Sequence, residues 1–307
     1  MRLHPLHVAF AAVAVIGLSA CSASGTTITP LAPQNLYAVD LTTGKIFVYS
    51  LPASASSVPT VTVATGYTIL YDAEFDANGT LWVDNDVNPS VLHGFALPLT
   101  SSSVASSNVT LTASSPTNTS NAFSFTFDPS GNLWVGDAGN GRLLGYHGPF
   151  SGTISPATFA NIAIASPWNV ISDGAGDLYV TANNHVARLN APPTAINANL
   201  SVLNEPIAML LDTAGNLYVG DFRNGNLYRY NAPINDGATP AITDLAANTT
   251  LTSPYYMALD RSGNLYVSDC STSIKVFATA TFSSTSAPAY TLPLPAGSNC
   301  STGLAIH

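Results

Sequence analysis

The sequence predicts an all-β ring of six four-stranded antiparallel units, a six-bladed β-propeller, and three observations carry that expectation. A hairpin pattern recurs five times at propeller-blade spacing. A sixth copy is divided between the start and the end of the chain. The composition also disfavours helices: the only glutamates are Glu74 and Glu205, and the only lysines are Lys45 and Lys275.

The five complete copies begin Phe75-Asp-Ala-Asn-Gly-Thr-Leu-Trp-Val, Phe127-Asp-Pro-Ser-Gly-Asn-Leu-Trp-Val, Ser172-Asp-Gly-Ala-Gly-Asp-Leu-Tyr-Val, Leu211-Asp-Thr-Ala-Gly-Asn-Leu-Tyr-Val and Leu259-Asp-Arg-Ser-Gly-Asn-Leu-Tyr-Val. An apolar strand stops at an aspartate whose carboxylate can accept the turn's amides. A glycine then supplies the left-handed residue that a tight turn needs. The next strand opens with leucine and an aromatic ring. A third strand follows, as in Arg142-Leu-Leu-Gly-Tyr or Ile274-Lys-Val-Phe, and a less regular fourth, as in Val109-Thr-Leu-Thr. Four strands per unit, repeated about an axis, make a propeller.

The divided copy closes the ring. Asn35-Leu-Tyr-Ala-Val-Asp40 supplies its second strand, and Thr302-Gly-Leu-Ala-Ile-His307 supplies its first. A radial array needs such a clasp so that its first and last units hold together. Cys270 and Cys300 flank this closure in loops that open on one face of the ring, so a Cys270–Cys300 disulfide is expected in an oxidising compartment.

The chain is divided as 1–21 leader, 22–33 flexible tether and 34–307 propeller. Arg2 provides a positive start, and Val8 to Leu18 form an apolar run too short to span a bilayer. Leu18-Ser-Ala-Cys21 follows directly and resembles the lipobox of bacterial lipoproteins. That resemblance implies lipidation of Cys21 and anchoring of an extracytoplasmic protein in the bacterial cell envelope. With Ser22 and not aspartate next, it implies the outer membrane where the host has one.

The 307 residues carry a formal net charge of −9, with 8% charged residues. A phosphate backbone is repelled by such a surface, which excludes nucleic-acid binding. Ring closure makes a monomer the default. Neither a Gly-x-Ser-x-Gly elbow nor a glycine-rich phosphate loop is present.

The channel offers the candidate sites. Counting back from the turn aspartate, the positions two and four before it should face the axis. They include Asp72 and Glu74, Ser124 and Thr126, Asn169, and Tyr256 with Ala258. At the mouth, five positions before the aspartate, stand Tyr71, Phe123, Trp168 and Tyr255, with Ile207 and Thr302 in the remaining places. Four aromatics in six equivalent positions offer either a stacking surface for a ligand or filling between blades. The sequence indicates no cofactor, but Asp72, Glu74 and Asn169 could take a calcium ion. Asp40, Asp137, Asp221 and Asp269 recur after the second strand, and residues that every blade repeats are read as bonding local backbone.

The blade pattern resembles NHL-repeat and TolB-like six-bladed propellers across the whole predicted ring. That resemblance and the missing catalytic motifs imply a binding or scaffold protein whose mouth engages a glycan, peptide or protein partner. The alternative is a metal-dependent lactonase, because the pattern is also similar to gluconolactonase-like propellers. Their channel Glu, Asn and Asp hold a divalent ion, with the Asn directly after a proline. Here the matching segments read Pro167-Trp-Asn169, Pro206-Ile-Ala208 and Pro254-Tyr-Tyr256, so only Glu74 and Asp269 carry over.

Overall fold

The computed structural model describes residues 32–112, 122–157, 161–200 and 203–307. Cys21 and the leader lie outside them. Residues Pro33–His307 form one compact unit built of six sheets.

Blade 1 is the divided one. Its strands run Ser301–Ile306, Asn35–Asp40, Lys45–Ser50 and Val61–Ala64 from the axis outward. Leu36 pairs with Ile306 and Ala38 with Leu304, so the last strand of the chain is the innermost strand of its first blade. Blades 2 to 6 begin with the inner strands Leu70–Phe75, Ala122–Phe127, Val170–Ser172, Pro206–Leu211 and Tyr256–Leu259. Each continues outward through three antiparallel strands. Blade 2 carries a fifth, because Gly152–Ile154 leaves blade 3 and pairs in parallel with Val109–Leu111.

The hairpin chemistry read from the sequence is present in all five complete blades. The carboxylates of Asp76, Asp128, Asp173, Asp212 and Asp260 each accept the amides two and four residues later. Gly131 illustrates the glycine requirement, with φ at +77°. Asp128 also accepts Asn132 Nδ2 at 2.8 Å and Trp134 Nε1 at 3.0 Å. Trp134 is 1% exposed, so Asp128→Ala leaves its indole N–H buried without an acceptor. We expect that change to cost about 2 kcal/mol in urea unfolding, whereas Asp128→Asn, which keeps an acceptor, costs less.

The core lies between blades. Phe75 packs edge-on against Tyr37 of blade 1, with ring centroids 5.2 Å apart. Trp82 of blade 2 joins Phe125, Leu133 and Tyr146 of blade 3. Cys270 and Cys300 are disulfide-bonded, and the Cys300 carbonyl accepts the Leu41 amide at 3.0 Å. The bridge therefore fastens blade 6 to the closing strand beside its partner in blade 1.

Asp221 and Asp269 accept amides from the loops before their own blades, at Asn204–Glu205 and Thr252–Ser253. Asp40 accepts Thr43, and Asp137 accepts Asn140 and Arg142. These four carboxylates serve the scaffold.

Candidate functional site

All six inner strands line the channel, and their irregular starts decide what points into it. Register shifts fall between Leu70 and Ala73, between Ala122 and Ser124, and between Pro206 and Ala208. A bulge re-aims side chains at the rim of a sheet. Here it turns Asp72 towards blade 3, where its carboxylate accepts the Phe125 amide at 3.0 Å, as well as the Ala73 amide at 2.6 Å. Glu74 does the same two residues on, accepting Thr126 Oγ1 at 3.0 Å and the Phe127 amide at 3.3 Å. The two channel carboxylates thus stitch blade 2 to blade 3 as well as facing the axis.

Asn169 occupies the equivalent place in blade 4. Its amide donates to Thr181 Oγ1 at 2.8 Å, and its Oδ1 accepts Ser124 Oγ at 3.5 Å. Its Nδ2, in a side chain 1% exposed, has no hydrogen-bond partner.

Burial dominates the electrostatics. It pushes the Asp72 carboxyl up to about 6, against the opposing pull of its hydrogen bonds. Burial first, and then the Asp72 charge, raises Glu74 well above the ordinary carboxylate range. A third acid, Asp84, escaped the sequence reading. It is fully buried on the second strand of blade 2, and neither carboxylate oxygen has a hydrogen-bond partner. Burial, then Asp86, then Asp72 raise it strongly. Its signal was available: blade 2 reads Val83-Asp-Asn where blades 3 and 5 read Val-Gly-Asp.

The predicted mouth aromatics do come together. Phe123 stacks on Trp168, with centroids 4.3 Å apart and planes 6° from parallel, and Tyr71 meets Phe123 edge-on at 4.6 Å. Tyr71 and Tyr255 lie 6.2 Å apart, and Phe222, which no repeat position marks, adds its edge to Tyr255 at 5.4 Å. Phe123 is buried by this packing, while Tyr71, Trp168, Tyr255 and Phe222 keep part of their surface exposed. Beneath them Tyr256 of blade 6 donates its hydroxyl to the Phe123 carbonyl of blade 3, directly across the ring. This hydrogen bond crosses the channel like a bar.

Below the bar lies a cavity of about 220 Å³. Asp72, Glu74, Thr126, Asn169 and Ser172 give it polar groups, and Met209, Met257 and Leu304 are among its apolar walls. A second space of about 280 Å³ shares Glu74, Leu210, Met257 and Leu304 with the first and continues to Leu259 and Ile306. Among the described residues, no Lys, Arg or His lines either. Among the described residues, no three His, Cys, Asp or Glu side chains are placed to hold a metal ion together.

Solved structures share this architecture. A proposed 6-phosphogluconolactonase from Bacteroides fragilis NCTC 9343 superposes with a TM-score of 0.66 at 11% identity, over 91% of this chain and 99% of its own. A Bacteroides caccae protein of unknown function gives 0.61 at 10% identity, over 90% and 99%. A functionally unknown protein from Desulfotomaculum acetoxidans DSM 771 gives 0.59 at 14% identity, over 89% and 98%. Identities this low show a shared fold, and that fold hosts unrelated activities. No protein-family model matches the chain, and no curated protein matches its sequence.

Proposed function

We propose that the protein is a binding propeller of the bacterial cell envelope, lipid-anchored through Cys21, that engages a glycan at its aromatic channel mouth. The observation that carries this reading is the convergence of Tyr71, Trp168, Tyr255 and Phe222, from four different blades, into one partly exposed aromatic rim. Partly exposed rings suit the apolar faces of sugars, and the Arg223–Glu205 ion pair beside Phe222 offers polar groups to their hydroxyls. An array of glycans and peptides probed with the native protein and with Trp168→Ala and Tyr255→Ala tests it. The expected result is glycan binding that falls at least tenfold in each variant while folding is retained. Selective binding to peptides, or glycan binding indifferent to both changes, contradicts it.

The second reading is a calcium-dependent lactonase, favoured by Glu74 in the channel and by the shared fold. The donor set fits that ion poorly. Calcium takes six to eight oxygens, yet Asp72 already holds two backbone amides and Asn169 Oδ1 faces Ser124. The remaining walls are largely apolar, and a phosphorylated lactone would meet two carboxyls and no cation.

A further inference from the structure

We propose that the channel cavity beneath Tyr256 is a binding site for a small organic ammonium bearing a neighbouring oxygen acceptor, the chemistry of an amino sugar or amino alcohol. The inference rests on the reading of the channel as a ligand site and names the ligand class.

Five features of the cavity select that chemistry. Two carboxyls, Asp72 and Glu74, face it, and no cationic side chain among its lining residues offsets them. Glu74 uses one oxygen on Thr126 and Phe127, which leaves Oε2 for a ligand. Asn169, which lines the cavity and is 1% exposed, has an Nδ2 donor with no partner. A buried donor left unpaired is costly, so an acceptor from the ligand has a place waiting. The apolar walls, Met209, Met257 and Leu304 among them, present methyl and methylene groups that suit a carbon skeleton and not a hydrated metal ion. The Tyr256 ring also lines the space and adds an aromatic face to an ammonium within reach. A ligand that donates to Glu74 and accepts from Asn169 therefore satisfies both vacant polar groups at once. The volume of about 220 Å³ admits one sugar-sized molecule.

The test is calorimetric titration of the purified mature protein with glucosamine, glucose and n-propylamine, repeated on Glu74→Gln and Asn169→Ala. Glu74→Gln keeps the acceptor for Thr126 and Phe127, and thermal melts check that both variants fold. The expected result is that glucosamine binds at least tenfold more tightly than either control. Glu74→Gln should remove the preference over glucose, and Asn169→Ala should remove the preference over propylamine. Equal affinity for glucose and glucosamine, no glucosamine heat at millimolar concentration, or a preference that survives Glu74→Gln overturns the proposal. Glycan capture that depends on Trp168 beside any of those outcomes leaves the mouth reading standing and removes only this one.

Discussion

Replacing Cys270 and Cys300 together by serine lowers stability by about 3.5 kcal/mol, from the loop entropy that the bridge removes from the unfolded chain. In a domain of this size that corresponds to a fall in melting temperature of roughly 7 °C. The two cysteines are 30 residues apart, and the segment between them holds the third and fourth strands of blade 6. The bridge also sits directly before the strand that closes the ring. In every other blade the inner two strands are consecutive in the chain, whereas in blade 1 Ser301–Ile306 is held to Asn35–Asp40, at the other end of the sequence, by strand pairing alone. Losing the clasp therefore lets Ser301–Ile306 peel away first, a local opening that hydrogen exchange reads at Leu304 and Ile306. Reductant should reproduce the loss in the native protein and leave the double serine variant unchanged. A native melt insensitive to reductant, or a variant as stable as the native chain, contradicts this.

The second large effect is electrostatic, and its sign is unusual for a carboxylate. Asp72, Glu74 and Asp84 are all raised in the folded state, chiefly by burial. The native protein thus holds these protons more tightly than the unfolded chain does. Their contribution is fully favourable below the ordinary carboxylate range and is lost as the pH rises through each raised value, which for Asp72 is about 6. Asp72 alone moves from 3.8 to about 6, on the order of 3 kcal/mol between pH 4 and pH 8. Asp84 gives the clearest variant, because Asn there breaks no hydrogen bond that the acid makes. We expect Asp84→Asn to raise the melting temperature at pH 8 by about 2–6 °C and to leave it unchanged at pH 4. An equal shift at both pH values would show that packing, not charge, separates the two side chains.

The position of Asp84 also shows what the sequence could and could not reveal. In blades 4 and 6 the same place holds Thr181 and Ser268, whose hydroxyls accept the amides of Asn169 and Tyr256. In blade 3 it holds Gly136, where an added Cβ would lie 2.6 Å from the Pro167 carbonyl oxygen. Four blades thus solve one local problem with small residues, and a carboxylate in the fifth departs from the repeat. The departure was legible. Its burial was not, because it depends on the neighbouring blade.

The hairpins were legible because their determinants are local. Asp128 and Gly131 act within five residues of one another, and the pattern repeats often enough to average out noise. The closing strand and the disulfide followed once the divided blade was counted. By contrast, the hydroxyl of Tyr256 reaches Phe123 across the ring, 133 residues away in sequence. The strand Gly152–Ile154 joins the edge of another blade with only three residues. Nothing in the periodicity of either segment specifies such contacts. The bulges that turn Asp72 towards Phe125 are likewise invisible to an alternation rule, which assumes an unbroken register.

We propose above that this channel binds an organic ligand, and a calcium-dependent active site is the competing reading. Calorimetric titration of calcium into residues 22–307, beside an Asp72→Asn/Glu74→Gln double variant, separates the two. The native chain should give no micromolar binding heat that the double variant removes. Micromolar calcium binding in the native protein, lost in the variant, would contradict it and return the channel to the lactonase reading.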